Sequence, residues 1–184
     1  MSSSPSPVHE RAIAEPRAGI GNHRYELYVQ AWQSVQAATT AGFHLEAITL
    51  LESLLGDRME SRASFLTGTN VGFKTLGYLI KTLRDRETIP AFSHLVDRID
   101  EWRNRRNRAL HEMVKFESGT LPSWEQQRAG LPSVVRDGQQ LLREFAALDE
   151  AERAKNGARP PATSPNAFAE LPSSRISTTP CGER

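Results

Sequence analysis

Apolar residues three and four apart recur through five segments between residues 24 and 155, separated by short polar or glycine-containing breaks. A period of 3.6 residues suits helices that bury one face, and no run of alternating apolar and polar residues points to a strand. The first segment, 24–39, places Leu27, Tyr28, Ala31, Trp32, Val35 and Ala38 on one side. The second, about 43–66, does the same with Phe43, Ala47, Leu50, Leu51, Leu54, Leu55 and Phe65. After a break at Thr67-Gly68-Thr69-Asn70, the third spans 72–85 on Phe73, Leu76, Ile80 and Leu83. Pro90 suits the first turn of the fourth, which runs to about Lys115 on Leu95, Ile99, Trp102, Ala109, Leu110 and Met113. Ser118-Gly119 and Pro122 interrupt the pattern. The fifth, from Pro132 to Lys155, carries Val134, Val135, Leu141, Leu142, Phe145 and Leu148. Long amphipathic helices with short breaks predict an all-α fold, an antiparallel up-and-down bundle of four to five helices.

Flanking composition sets the domain limits. Residues 1–22 are rich in Ser, Pro, Ala and Gly, and 156–184 hold Pro160, Pro161, Pro165, Pro172 and Pro180 among Ser, Thr and Arg. Neither stretch has enough apolar surface to offset chain entropy, so both are expected to be disordered tails around a bundle at 23–155. The N-terminus has no apolar core of a secretory signal. No apolar stretch approaches the roughly 20 residues that span a bilayer. The expectation is a cytoplasmic protein with no membrane partner. The single cysteine, Cys181, allows neither an internal disulfide nor a cysteine-based metal site. A net charge of +1 means that any affinity for nucleic acid must come from a local patch.

Such a patch lies on the fourth segment. With Ile99 as origin and 100° per residue, Leu95, Val96, Trp102, Ala109, Leu110, Met113 and Val114 fall within about 80° of it. Arg106 falls near the middle of that apolar arc, Arg103 also lies inside it, and Asn107 and His111 stack on its edge. Arg105 and Arg108 point away. An unpaired guanidinium in a core costs several kcal/mol. Three explanations stay open. Arg106 forms a structural ion pair, with Glu52 or Asp57 as candidate partners; the arginines form a solvated face; or Arg106 lines a cleft or interface that takes an anion. Arginine suits bidentate contact with phosphate, and histidine exchanges protons near neutral pH. Arg106, Asn107 and His111 are therefore the candidate catalytic residues for phosphoryl chemistry on RNA. Arg103, Arg105 and Arg108 are candidates for following an RNA backbone.

Other residues carry weaker signals. Arg58 lies amid Ala47, Leu50, Leu51, Leu54 and Phe65, with Asp57 on the flank. Either Arg58 and Asp57 support the Arg106 site, or Arg58 snorkels past its helix end. Glu52 falls on the polar side of its helix, as a surface charge. Trp102 is expected in the core, with base stacking as the other use of such a ring. Trp32 and Trp124 are expected to be packing residues. His44 and His94 lack partners at metal-ligand spacing, and His23 is expected to be solvated. Gly68-Thr-Asn-Val-Gly72 lacks the Gly-Lys-Ser/Thr ending of a phosphate loop and is expected to be a turn. No metal site or cofactor is expected.

Arg106-Asn107-Arg108-Ala109-Leu110-His111 resembles the Arg-polar-x-x-x-His signature of the HEPN superfamily. The stretch Glu46 to Arg58 is similar to the acidic-aliphatic helix that precedes the signature in bacterial members. Together these residues carry the resemblance over about 43–116. The superfamily comprises small helical bundles, many of them metal-independent endoribonucleases of toxin–antitoxin and phage-defence systems. The resemblance implies that His111 acts as general base or acid while a ribose 2′-hydroxyl attacks the neighbouring phosphate. Arg106 would stabilise the developing charge, and Asn107 would position His111 or the phosphate. The implied products are a 2′,3′-cyclic phosphate and a 5′-hydroxyl. The resemblance also implies a homodimer through the Arg106/His111 helix, and an antitoxin or complex partner. The alternative it admits is a non-catalytic module that binds RNA, a nucleotide or a partner. One subgroup carries a tyrosine two residues after the histidine, modified by a partner nucleotidyltransferase. Here that position is Met113, which puts such a pairing in doubt.

Overall fold

The computed structural model describes residues 20–111 and 123–155. Six helices account for nearly all of them: α1 (Ile20–Thr40), α2 (His44–Thr67), α3 (Leu76–Arg86), α4 (Pro90–His111), α5 (Trp124–Ala129) and α6 (Leu131–Lys155). No strand occurs among the described residues. The fold is an all-α helical bundle, as the 3.6-residue period requires.

Local chemistry explains several boundaries. Gly68 stops α2 by adopting the left-handed conformation (φ 67°) that a side chain resists. Thr75 caps α3, its hydroxyl accepting from the Tyr78 N–H at 3.3 Å. The third helix therefore begins at Leu76 and not at 72, and Phe73 lies before it, 70% exposed. The short α5 was not expected from periodicity, because six residues hold no full apolar repeat. It is set by a capping box: the Ser123 hydroxyl accepts from the Gln126 N–H, and the Gln126 side chain accepts from the Ser123 N–H. Trp124 opens this helix and is 52% exposed, so it is not the packing residue it was expected to be. At the N-terminal side, α1 reaches back to Ile20, ahead of the expected helix start at 24 and into the expected 1–22 tail, of which residues 1–19 lie outside the described residues. The expected 156–184 tail, Met113 and Lys115 lie outside the described residues.

α2 is the hub. It packs against α1, α3 and α6, while α4 packs against α3 and α6. Ile48, Leu51, Leu55 and Met59 of α2 are fully buried, with Leu79 and Leu83 of α3, Phe92, Ile99 and Trp102 of α4, and Leu142 and Phe145 of α6. Phe92 and Phe145 meet edge to face, their centroids 5.4 Å apart. α1 touches chiefly α2, so only a narrow stripe of it is deeply covered: Trp32, Val35 and Ala38 are buried, whereas Leu27 is 51% exposed. Phe43 and Phe65, assigned to the apolar face of the second segment, lie near its ends and stay exposed.

Residue pairs fix the helix directions. Arg62 of α2 lies beside Phe92 at the start of α4, whereas Glu52 lies beside Arg106 near its end, so these two helices are antiparallel. Arg84 pairs with Asp97 and Asp100, and Gly77 approaches Arg103, so α3 is antiparallel to α4 as well. α3 therefore runs in the same direction as α2. The connection 68–75 makes this possible by doubling back, with the Val71 N–H held by the Ser64 hydroxyl at 3.2 Å. Eight residues reach roughly 26 Å when extended, more than the ~16 Å rise of an 11-residue helix. Alternation resumes at α4 and α6, where Arg98 pairs with Glu144 and Arg105 with Asp137.

Candidate functional site at the end of α4

The second half of α4 reads Trp102-Arg-Asn-Arg-Arg-Asn-Arg-Ala-Leu-His111. Its inner face is anchored by Trp102, which is fully buried and donates its indole N–H to the Val134 carbonyl at 2.8 Å. This fixes the rotation of α4 against α6. From that rotation, each arginine acquires a definite neighbour.

Arg106 points inward, as the wheel places it. Its side chain is 9% exposed and is ion-paired with Glu52 of α2. Its Nη1 donates to the Asn107 Oδ1 at 2.7 Å, while its Nε is buried without a hydrogen-bond partner. Burial lowers the guanidinium below its ordinary value, but an arginine starts so high that it stays charged at physiological pH. Glu52 is thus not the plain surface charge that its place on the wheel suggested. Its side chain is 30% exposed and forms the outer lip of the pair. The reason is that α2 is covered on three sides, so even its polar edge meets a neighbour.

The remaining basic residues divide. Arg103 is drawn back along its own helix, its Nε donating to Asp100 at 2.8 Å. Arg105 does not point away from the bundle: its Nη1 donates to Asp137 of α6 at 2.6 Å. That pair borders a shallow groove between α4 and α6 lined by Arg98, Glu101, Asp137 and Gln140. Its two arginines are already matched by carboxylates, with Arg98 on Glu144. Arg108 and His111 are exposed. Among the described residues, His111 has no hydrogen bond to Arg106 or Asn107.

Asp57 and Arg58 are engaged elsewhere. Asp57 accepts from Arg24 and from the Tyr28 hydroxyl, both on α1. The Arg58 guanidinium lies over the Tyr28 ring, 4.7 Å from its centroid. Burial, and then the Asp57 carboxylate, push the Tyr28 hydroxyl well above its ordinary pKa. These four residues join α1 to α2.

Arg62 is a further charge that the helical period places inward. It falls between Leu55, Met59 and Ala63 on the buried face of α2, the same anomaly that marks Arg106. Its partner is Glu87, bound through Nε at 2.8 Å and Nη2 at 3.0 Å. The missed signal was a charge centred on an apolar arc. Its acidic partner was hidden because Glu87 sits in a three-residue connection with no period.

Among the described residues, no cluster of three or more His, Cys, Asp or Glu side chains is placed to hold a metal ion. No described helix is long and apolar enough to cross a membrane. No protein-family model, curated protein or solved structure matches the chain.

Proposed function

We propose that the chain is a HEPN-like helical module that binds single-stranded RNA through the end of α4, with Arg108 and His111 as the first contacts and Arg106 behind them. The observation that carries this reading is the division of labour within one turn and a half of helix. Arg106 is buried and charge-matched by Glu52, whereas Arg108 and His111 face solvent. A phosphate approaching this end meets an unburied cation first. In the free chain Arg106 is already charge-matched by Glu52, so binding is favoured over cutting.

A second reading is a metal-independent endoribonuclease, acting as a toxin or phage-defence effector. It is favoured by the idle Arg106 Nε, and it requires His111, five residues further along the same helix and about 140° around it, to meet Arg106 across the bound RNA or from a second copy. In that reading His111 removes the proton from a ribose 2′-hydroxyl or delivers one to the departing 5′-oxygen. The 2′-oxygen bonds to phosphorus, the P–O5′ bond breaks, and Arg106 steadies the added negative charge. A second copy, docked through α4, would supply a facing Arg106 and His111. An antitoxin or complex partner would cover the same end.

One experiment separates the readings. The purified protein is incubated with cellular RNA in excess EDTA beside Arg106→Ala and His111→Ala, and binding and cut ends are scored together. Retention of RNA without cleavage, weakened by Arg108→Ala, supports the binding module. Cyclic phosphate ends that disappear in both folded variants support the nuclease. Neither binding nor cleavage refutes both. Light scattering at micromolar concentration tests the dimer.

A further inference from the structure

The acidic partner of Arg106 sits on the solvent side of the pair, and this is what a removable blocking group requires. A guanidinium presents five N–H donors. In this protein Nη1 is given to Asn107, Nη2 faces Glu52, and Nε is buried with no partner. Arg106 is nine-tenths enclosed, whereas the Glu52 side chain retains about a third of its exposure. The solvent side of the pair is therefore Glu52's, and an anion that takes the Nη2 donor displaces it.

A carboxylate and a phosphodiester present the same paired oxygens to the same donors, so they compete for one position. The exchange is asymmetric. Glu52 can swing outward and hydrate, while Arg106 is held by its burial. A phosphate arriving there takes the Nη2 donor that Glu52 holds.

We propose that Glu52 is an autoinhibitory carboxylate that occupies the phosphate position on Arg106, so that the chain's affinity for RNA is set by displacement of Glu52. This rests on the RNA-binding reading above. It differs from a structural ion pair in sign: removing the carboxylate charge strengthens binding, whereas a structural role predicts loss of binding together with loss of fold.

The test is fluorescence anisotropy of a 5′-labelled 12-nucleotide single-stranded RNA against the full chain in EDTA, with thermal unfolding of every variant. Glu52→Gln keeps the shape and removes the charge, and is expected to bind on the order of tenfold tighter. Glu52→Asp withdraws the carboxylate by one methylene and is expected to shift affinity in the same direction; it carries the test should Glu52→Gln fail to fold. In Glu52→Gln/Arg106→Gln the gain should vanish, because the released donor is gone. If wild type binds RNA and loses affinity in Arg108→Ala, but folded Glu52→Gln or Glu52→Asp binds no better, the autoinhibition is overturned and the RNA reading stands. If wild type and all variants fail to bind RNA, both are overturned.

Discussion

Arg62 and Glu87 form a two-pronged ion pair almost entirely out of water, with side chains 5% and 1% exposed. The guanidinium also lies 4.2 Å from the centroid of the Phe92 ring and 5.5 Å from that of Phe65. The carboxylate accepts from the Thr88 and Ile89 N–H groups, both at 3.1 Å. One pair thus ties the last turns of α2 to the corner where α3 turns into α4. It also fixes the direction of α4, and hence which residues of α4 face Glu52.

Removing one partner should be costly, because the other charge stays buried. Glu87→Gln is expected to lower stability by about 3–5 kcal/mol, read as a fall in urea midpoint at unchanged slope. Replacing both partners, as in Arg62→Met/Glu87→Gln, should cost less than Glu87→Gln alone. A double variant worse than the single would mean that the guanidinium is held by its aromatic neighbours and not by Glu87.

The same pair predicts a pH dependence. Burial opposes ionisation of Glu87, but the hydrogen bond from Arg62 and the N–H groups of Ile89 and Thr88 outweigh it, holding the carboxyl below the usual carboxylate range. A carboxyl whose folded pKa is depressed contributes stability that is present above its unfolded value, about 4.3. That contribution is lost as pH falls through the folded value. The stability gap between wild type and Glu87→Gln should therefore be constant from neutral pH down to about 5 and narrow below that. A gap that widens on acidification would show the carboxyl to be shifted upward.

α4 and α6 approach closely because residue 138 has no side chain. A Cβ there would lie 2.9 Å from the Trp102 Nε1 and 3.0 Å from its ring carbons. Gly138→Ala should destabilise the fold by about 1–3 kcal/mol, against a helix-propensity gain of up to about 1 kcal/mol. Trp102→Phe in the same chain should recover part of the loss, since the smaller ring vacates the contact. A neutral or stabilising Gly138→Ala, measured by chemical denaturation, would mean that the helices separate freely and that the Trp102–Val134 hydrogen bond does not fix their spacing.

Arg106 should matter less to stability than Arg62. Its carboxylate partner keeps about a third of its exposure and can hydrate when released, whereas Glu87 cannot. Arg106→Met, which preserves the buried stem, is expected to cost about 1–3 kcal/mol, less than Arg62→Met in the same assay. The variant should stay folded, by circular dichroism and a cooperative melt. Unfolding of Arg106→Met under conditions where Arg62→Met survives would make Arg106 the main structural pin of the bundle.

Much of this protein follows from its sequence alone. The 3.6-residue spacing of apolar groups dictates helices, because only that geometry brings Trp102, Ile99, Leu95 and Phe92 to one side. The same spacing marked Arg106 as a charge facing inward, with Glu52 or Asp57 as candidate partners, although it set Glu52 on the polar side of its own helix. The chain could not say which candidate Arg106 takes, nor that Arg105 meets Asp137. Those outcomes depend on how far each helix rotates and on which way it runs, and both are set between elements. The direction of α3 was hidden for the same reason: a connection of eight residues permits either a hairpin or a return, and the choice falls to the Ser64–Val71 and Arg62–Glu87 contacts. Periodicity is a property of one helix and is legible residue by residue. Pairing is a property of two helices, decided only when burying the apolar faces leaves each charge to find an opposite within reach.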